Sequence, residues 1–264
     1  MSGSSSLRVD RSADSRVARV FLNRPSVRNA FDDGLIELLT HTAQGLGRDP
    51  SIRVVVLAGD GPVFCAGADL NWMKGMAAYG LDENRRDAGA LGAMFEAWQL
   101  LPKPVVGKVH GAALGGGTGL AAVCDVVVAQ EGTLFGTTEV RLGLVPAVIS
   151  PYVVAKIGQS NARAWFLTGG RYDALEALRC GLVHRVVPAE QLDRAVDEVV
   201  AACLEGGPEA LAESKVLAMT AASLPSAEVR AVTVESIARR RVSAEGQEGM
   251  RAFLERRAPQ WGNP

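Results

Sequence analysis

The stretch His110-Gly-Ala-Ala-Leu-Gly-Gly-Gly-Thr-Gly119 sets three consecutive glycines where a helix is expected to start. Each gives up roughly 1 kcal/mol of helix stability relative to alanine. Such a cost points to backbone that needs room, for an anionic ligand or for close packing. Gly117-x-Gly119-x-x-Ala122 also satisfies the short dinucleotide fingerprint, with Glu131 at the end of the next expected strand. That pattern is weak, and here it falls in mid-chain.

On either side lie short runs rich in valine. Residues 17–23, 54–58, 105–109 and 125–129 read as strands, and 32–48 and 82–101 as helices with apolar residues at helical spacing. This alternation predicts an α/β architecture with largely parallel pairing. The last third is different. Asp173-Ala-Leu-Glu176 has a capping-box pattern, and beyond 187 only helices are expected, over 189–203, 208–219, 227–242 and 243–257. Residues 1–6 read as a disordered tail, 7–195 as the core and 196–264 as a helical C-terminal region.

The 264 residues carry 28 basic and 29 acidic side chains, so the net charge is −1. No basic excess favours nucleic acid or an anionic membrane surface. The longest uncharged apolar stretch, 109–124, is too short and glycine-rich for a membrane span. The four cysteines show no zinc spacing, and the start of the chain has no apolar signal core, so the expected compartment is the cytoplasm.

Two further stretches can carry chemistry. Phe64-Cys-Ala-Gly-Ala-Asp-Leu70 follows an expected buried strand, and its small residues leave N–H groups bare at a strand-to-helix turn. The simpler reading is a tight loop with Asp69 as helix N-cap. In Phe135-Gly-Thr-Thr-Glu-Val-Arg-Leu-Gly-Leu-Val-Pro146, Glu139 is a carboxylate among apolar and small residues, suited to proton transfer if partly buried. The competing reading pairs it with Arg141. His41, His110, His184 and Cys65 read as structural residues.

Taken in this order, the stretches resemble the crotonase, or enoyl-CoA hydratase/isomerase, superfamily. The resemblance also draws on Leu22-Asn-Arg-Pro-Ser-Val-Arg-Asn-Ala30, Lys103-Pro104-Val105, Cys124-Asp125 and Ala252-Phe-Leu-Glu-Arg-Arg257. It implies a crotonase-like spiral of ββα turns with a helical C-terminal trimerisation region, assembled as a homotrimer or a hexamer of two trimers. It implies an acyl-CoA substrate, with coenzyme A as part of that substrate and no separate cofactor or metal. The N–H groups of Ala66 and Gly116 are implied as oxyanion donors. Ser26, Arg28, Ala66, Ala68, Asp69 and Leu70 are implied as the coenzyme A site, joined by Phe253 and Arg256, in some members from a neighbouring subunit.

The sequence departs from straight-chain hydratases at one catalytic position. Of the two glutamates they carry, one matches Glu139, but the position of the other is Gly119. Asp82, Glu83 and Glu96 are the nearby candidates to assist. The run Ala147-Val-Ile-Ser-Pro151 also replaces a glycine-rich segment. With Gly119, it most resembles the 3-methylglutaconyl-CoA hydratase-type branch of leucine or acyclic-terpene catabolism. The expected reaction is reversible hydration of a branched enoyl-CoA. A single-glutamate Δ3-Δ2-enoyl-CoA isomerase and a non-catalytic acyl-CoA scaffold are the alternatives.

Overall fold

Alternating valines bury both faces of the central sheet in a computed structural model that describes residues 5–221 and 225–262. In chain order the elements begin with strands β1 (Leu7–Arg11) and β2 (Val17–Leu22), helix α1 (Asp33–Arg48) and β3 (Val54–Gly59). Helices α2 (Leu70–Met76) and α3 (Leu81–Gln99) follow, then β4 (Val105–Val109), β5 (Ala112–Leu114), α4 (Gly116–Val123), β6 (Val126–Gln130) and β7 (Leu134–Gly136). The chain continues through α5 (Ser150–Thr168), β8 (Tyr172–Asp173), α6 (Ala174–Arg179) and β9 (Arg185–Val187). It ends in α7 (Leu192–Glu205), α8 (Pro208–Thr220), α9 (Ser226–Val242) and α10 (Ala244–Leu254).

The main sheet runs β1-β2-β3-β4-β6-β9, parallel except for the antiparallel β1–β2 edge. A second, three-stranded sheet runs β5-β7-β8. Period-2 alternation sends Val55, Leu57, Val105 and Val127 into the large core with α1, α3, α4 and α5. Val54, Val56, Val106 and Val128 face the other way, onto Leu192, Ala195, Val196 and Val200 of α7. This is the crotonase-like mixed α/β fold.

Several expectations need adjustment. The boundary expected between 195 and 196 falls inside α7, which covers one face of the sheet, so the core layer continues past it. Within the expected tail, residues 1–4 lie outside the described residues. Ser6 is tied down, because its carbonyl accepts from Asn23 N at 2.9 Å. The reading missed β1, whose alternation of charged and apolar residues belongs to a half-exposed edge strand. It also missed α2 and α5; α5 is interrupted at Gly158 (φ 72°, ψ 161°), which breaks its helical pattern into two short pieces. No helix among the described residues is long and apolar enough to cross a membrane.

Candidate active site

Two loops leave the sheet at the same end and are zipped together by backbone bonds. Cys65 N donates to Ala112 O at 3.0 Å, and Leu114 N donates to Cys65 O at 3.0 Å. Where the loops touch, an added Cβ on Gly67 (φ 95°) would stand 3.0 Å from Leu114 O. Gly115 (φ 53°, ψ −121°) is the N-cap of α4 in a conformation that side chains strain to adopt. A Cβ on Gly116 would meet the Phe31 ring at 2.6 Å, and one on Gly117 would meet the Cys65 carbonyl at 2.3 Å. Each of the three glycines thus has its own structural reason: left-handed backbone at Gly115, the Phe31 ring against Gly116 and the Cys65 carbonyl against Gly117.

The structure corrects one expected donor. The Ala66 N–H is spent on Arg28 O at 3.0 Å. Two residues on, Ala68 N makes no hydrogen bond among the described residues. Its neighbours explain why: Phe31 N donates to Gly67 O at 2.7 Å, and Asp69 N donates to Phe31 O at 2.8 Å. In this parallel bridge the Ala68 N–H turns away from Phe31. Gly116 N, the first in α4, is likewise free, as the opening N–H groups of a helix are.

Glu139 is delivered to the same place by β7. Gly115 N donates to Gly136 O at 2.8 Å, and Gly136 N donates to the Thr118 hydroxyl at 3.2 Å. The chain then turns at Glu139–Leu142, a single 3-10 turn closed by Gly143 in the left-handed region. This sets Glu139 Oε1 about van der Waals distance from Gly115, 3.3 Å from where a Cβ there would be. Glu139 Oε2 is buried with no hydrogen-bond partner. The expected alternative, an ion pair with Arg141, is not formed among the described residues. Burial raises the Glu139 pKa above its ordinary 4.5, against a smaller opposing effect of its own backbone N–H. If the ionised carboxylate is the working form, the acid limb of kcat/KM should bend above pH 4.5, and a pH profile measures it.

The place of the missing glutamate is filled. A Cβ on Gly119 would lie 2.4 Å from Ile149 Cγ2 and 3.0 Å from Phe95 Cε1. Ile149 is 3% exposed and Phe95 fully buried, with the Tyr152 ring 5.7 Å from that of Phe95. Asp82 pairs with Arg85, and Glu83 Oε2 accepts from Gly80 N at 2.7 Å, so both are engaged at the start of α3. Glu96 is exposed and acts on Tyr152, whose pKa burial raises first and this charge raises further.

Beside the loops lies a cavity of about 600 Å³ lined by Ser26, Val27, Arg28, Ala30, Ala66, Ala68, Asp69, Leu70, Asn71 and Lys74. Six of the expected coenzyme A residues thus meet in one place. Asn71 and Lys74 were missed; Lys74 lies one helical turn after Leu70 on α2, a helix the sequence reading did not foresee. Phe253 and Arg256 are not brought here. Phe253 is 83% exposed at the end of α10. The tail after α10 is held by Arg53, whose Nη1 donates to Trp261 O at 3.2 Å. Arg53 stands just before β3, whereas the cavity lies past its other end, roughly 20 Å along a six-residue strand.

The remaining candidates are structural. The His110 ring bonds Gly61 O at 2.8 Å, and His184 Nδ1 accepts from Val127 N at 3.0 Å. Burial pushes the Cys65 thiol up to about 12, which removes it as a nucleophile at neutral pH.

Comparison with known proteins gives one family for the chain. The enoyl-CoA hydratase/isomerase family matches residues 12–264. The chain belongs to that family. A crystal structure of an enoyl-CoA hydratase from Shewanella pealeana superposes with a TM-score of 0.93 at 37% identity, covering 97% of this chain and 96% of that one. Pseudomonas aeruginosa AtuE superposes with a TM-score of 0.93 at 36% identity, covering 98% and 100%. The Escherichia coli protein named 2,3-dehydroadipyl-CoA hydratase is 33% identical over 258 residues, 94% of this chain and 96% of its own length. The chain is thus an enzyme of the enoyl-CoA hydratase type, a hydro-lyase of the crotonase superfamily.

Proposed function

We infer that the enzyme reversibly hydrates a branched, carboxylated enoyl-CoA of the 3-methylglutaconyl type, with Glu139 as its sole acid/base. The observation that carries this reading is the buried, unpartnered Glu139 Oε2 on a side chain that packs on Gly115, next in chain to the free Gly116 N–H, with Ile149 in the place of a second carboxylate. The thioester oxygen is held by the N–H groups of Ala68 and Gly116. Glu139 removes a proton from water as its oxygen bonds to C3, the C2=C3 π pair shifts to C1–C2, and the carbonyl π pair moves onto the thioester oxygen. Glu139 then returns that proton to C2 as the enolate collapses. Atoms balance with one carboxylate, provided water and C2 are both within its reach. Arg28 and Lys74 give the cavity positive charge that suits the phosphates of coenzyme A.

The branched, carboxylated acyl group rests on the likeness of Gly119 and the segment 138–152 to that branch. A relative named for a dehydroadipyl thioester, which is also carboxylated, adds support. Assembly through the C-terminal helices is part of the same reading, supported by exposed Val232, Ile237 and Val242 on α9. In it, Phe253 and Arg256 serve a neighbouring subunit's cavity.

The test is a screen of crotonyl-, 3-methylcrotonyl- and 3-methylglutaconyl-CoA. The expected result is a kcat/KM for 3-methylglutaconyl-CoA at least about tenfold above either of the others, which is about 1.4 kcal/mol of discrimination. A preference for crotonyl-CoA overturns the branch assignment. The single carboxylate also suits a Δ3-Δ2 isomerase. Conversion of a 3-enoyl-CoA to its 2-enoyl isomer, with no hydration of any 2-enoyl-CoA, would favour that reading.

A further inference from the structure

The motif Leu22-Asn-Arg-Pro-Ser-Val-Arg-Asn-Ala30 supplies cavity residues at Ser26 and Arg28, but Arg24 and Asn29 have no part in the chemistry described so far. Arg24 is largely buried, with 17% of its side chain exposed. Its Nη2 lies 2.9 Å from Asp69 Oδ2 and 2.7 Å from Asp32 Oδ2, and its Nη1 donates to Ala30 O. Each carboxylate divides its oxygens the same way. Asp69 Oδ1 caps α2 by accepting from Asn71 N at 2.8 Å, and Asp32 Oδ1 caps α1 by accepting from Leu35 N at 2.8 Å. One guanidinium therefore joins the N-caps of two helices.

Asn29 anchors the segment that carries Arg24. It is fully buried in the left-handed region (φ 55°), and its amide donates to Asp60 O at 2.8 Å and to Val63 O at 2.9 Å. Its Oδ1 accepts from Arg24 N at 2.8 Å. The backbone of Phe31 then grips Gly67 O and Asp69 N on either side of Ala68. Ala68 is thus fixed from its neighbours, and the Asp69 side chain is fixed by Arg24.

We propose that Arg24, through Asp69 and Asp32, is a positioning residue that aims the Ala68 N–H at the substrate's thioester oxygen. The proposal rests on the reading of Ala68 and Gly116 as the oxyanion donors. A donor contributes only where it points at the developing charge, and small misplacements cost rate more than binding. Lysine cannot replace this arginine fully, because one ammonium cannot reproduce a planar fork that serves two carboxylates and a carbonyl.

The experiment compares wild type, Arg24→Lys and Arg24→Met by steady-state kinetics and by the absorbance of a bound arylacryloyl-CoA. The red shift of that chromophore reports polarisation of its thioester carbonyl. The expected result for Arg24→Met is a kcat lower by about tenfold to a hundredfold, KM within about threefold, and a reduced red shift. Arg24→Lys should fall between Met and wild type. It also keeps the test available if the Met variant does not fold. A full red shift in a folded variant, or a loss confined to KM, overturns the role of Arg24 and leaves the donors intact. No red shift in the wild type overturns the donor assignment, and the positioning role with it.

Discussion

Replacing Glu139 by Gln lowers turnover by about a thousandfold and leaves coenzyme A binding unchanged. Removing a general acid/base group forfeits roughly 10² to 10⁴ in rate. Here no second carboxylate takes over, because the space at Gly119 holds Ile149 and Phe95. Coenzyme A is expected to bind in the cavity at Arg28 and Lys74, which the change does not touch. The measurement is kcat on the preferred substrate together with a dissociation constant for coenzyme A. Unchanged turnover would remove Glu139 from the mechanism.

The same substitution has a second effect, of opposite sign. Burial raises the folded-state pKa of Glu139 above its unfolded value. A carboxyl whose pKa is raised favours folding while neutral and loses that advantage as pH rises from the unfolded pKa through the folded one. At neutral pH the ionised group is a burden on the fold, and glutamine is not. Glu139→Gln should therefore melt above wild type at neutral pH and lose the difference at acid pH, which thermal melts across pH would show. A higher melting temperature together with lost turnover is the result expected of a group kept for chemistry at a cost to the fold.

Gly119→Glu, the change that would write the missing carboxylate back into the sequence, is expected to damage the enzyme rather than convert it. Its Cβ would stand 2.4 Å from Ile149 and 3.0 Å from the Phe95 ring. Overpacking a core costs about 1–3 kcal/mol, and a carboxylate placed among apolar groups adds a desolvation cost of its own. The expected result is a loss of at least about 3 kcal/mol of stability by denaturant titration. Combining it with Ile149→Ala removes the 2.4 Å contact with Ile149 Cγ2, leaves the Cβ of that residue at 3.0 Å, and should recover part of the loss. If the single variant is as stable as wild type, Ile149 does not fill the position as described. The absence of the second glutamate is thus a feature of packing as well as of sequence. Ile149 belongs to the very segment, 147–151, that departs from the glycine-rich run of straight-chain hydratases.

Much of the architecture was legible because it rests on local pattern. The strands at 54–58 and 105–109 announced themselves by valine runs, and the helix start at Asp173 by its capping pattern, of which the structure forms the N-cap half: Glu176 N donates to the Asp173 carboxylate at 2.8 Å, while the Glu176 carboxylate accepts from Arg179. What escaped were elements whose pattern is broken. The edge strand β1 shows one face to water, and α5 is cut by Gly158. The alternation of β1 runs over only five residues, and α5 has no continuous helical periodicity to read.

For the site, the sequence by itself singled out Glu139 as the candidate carboxylate, the two loops that meet it and the family of chemistry, because residue type and order carry that information. It could not decide which N–H in Ala66-Gly-Ala68 is free. That depends on the Arg28 carbonyl taking one and the Phe31 backbone turning the other outward, contacts made by a segment some 35 to 40 positions earlier in the chain. Nor could it say what occupies the space above Gly119 or where Phe253 and Arg256 lie. The first was decided by how α5 packs against α4, and the second by Arg53 holding the C-terminal tail at the far end of β3. Hydrogen-bond direction and shared volume are properties of segments brought together, and only the tertiary structure assigns them.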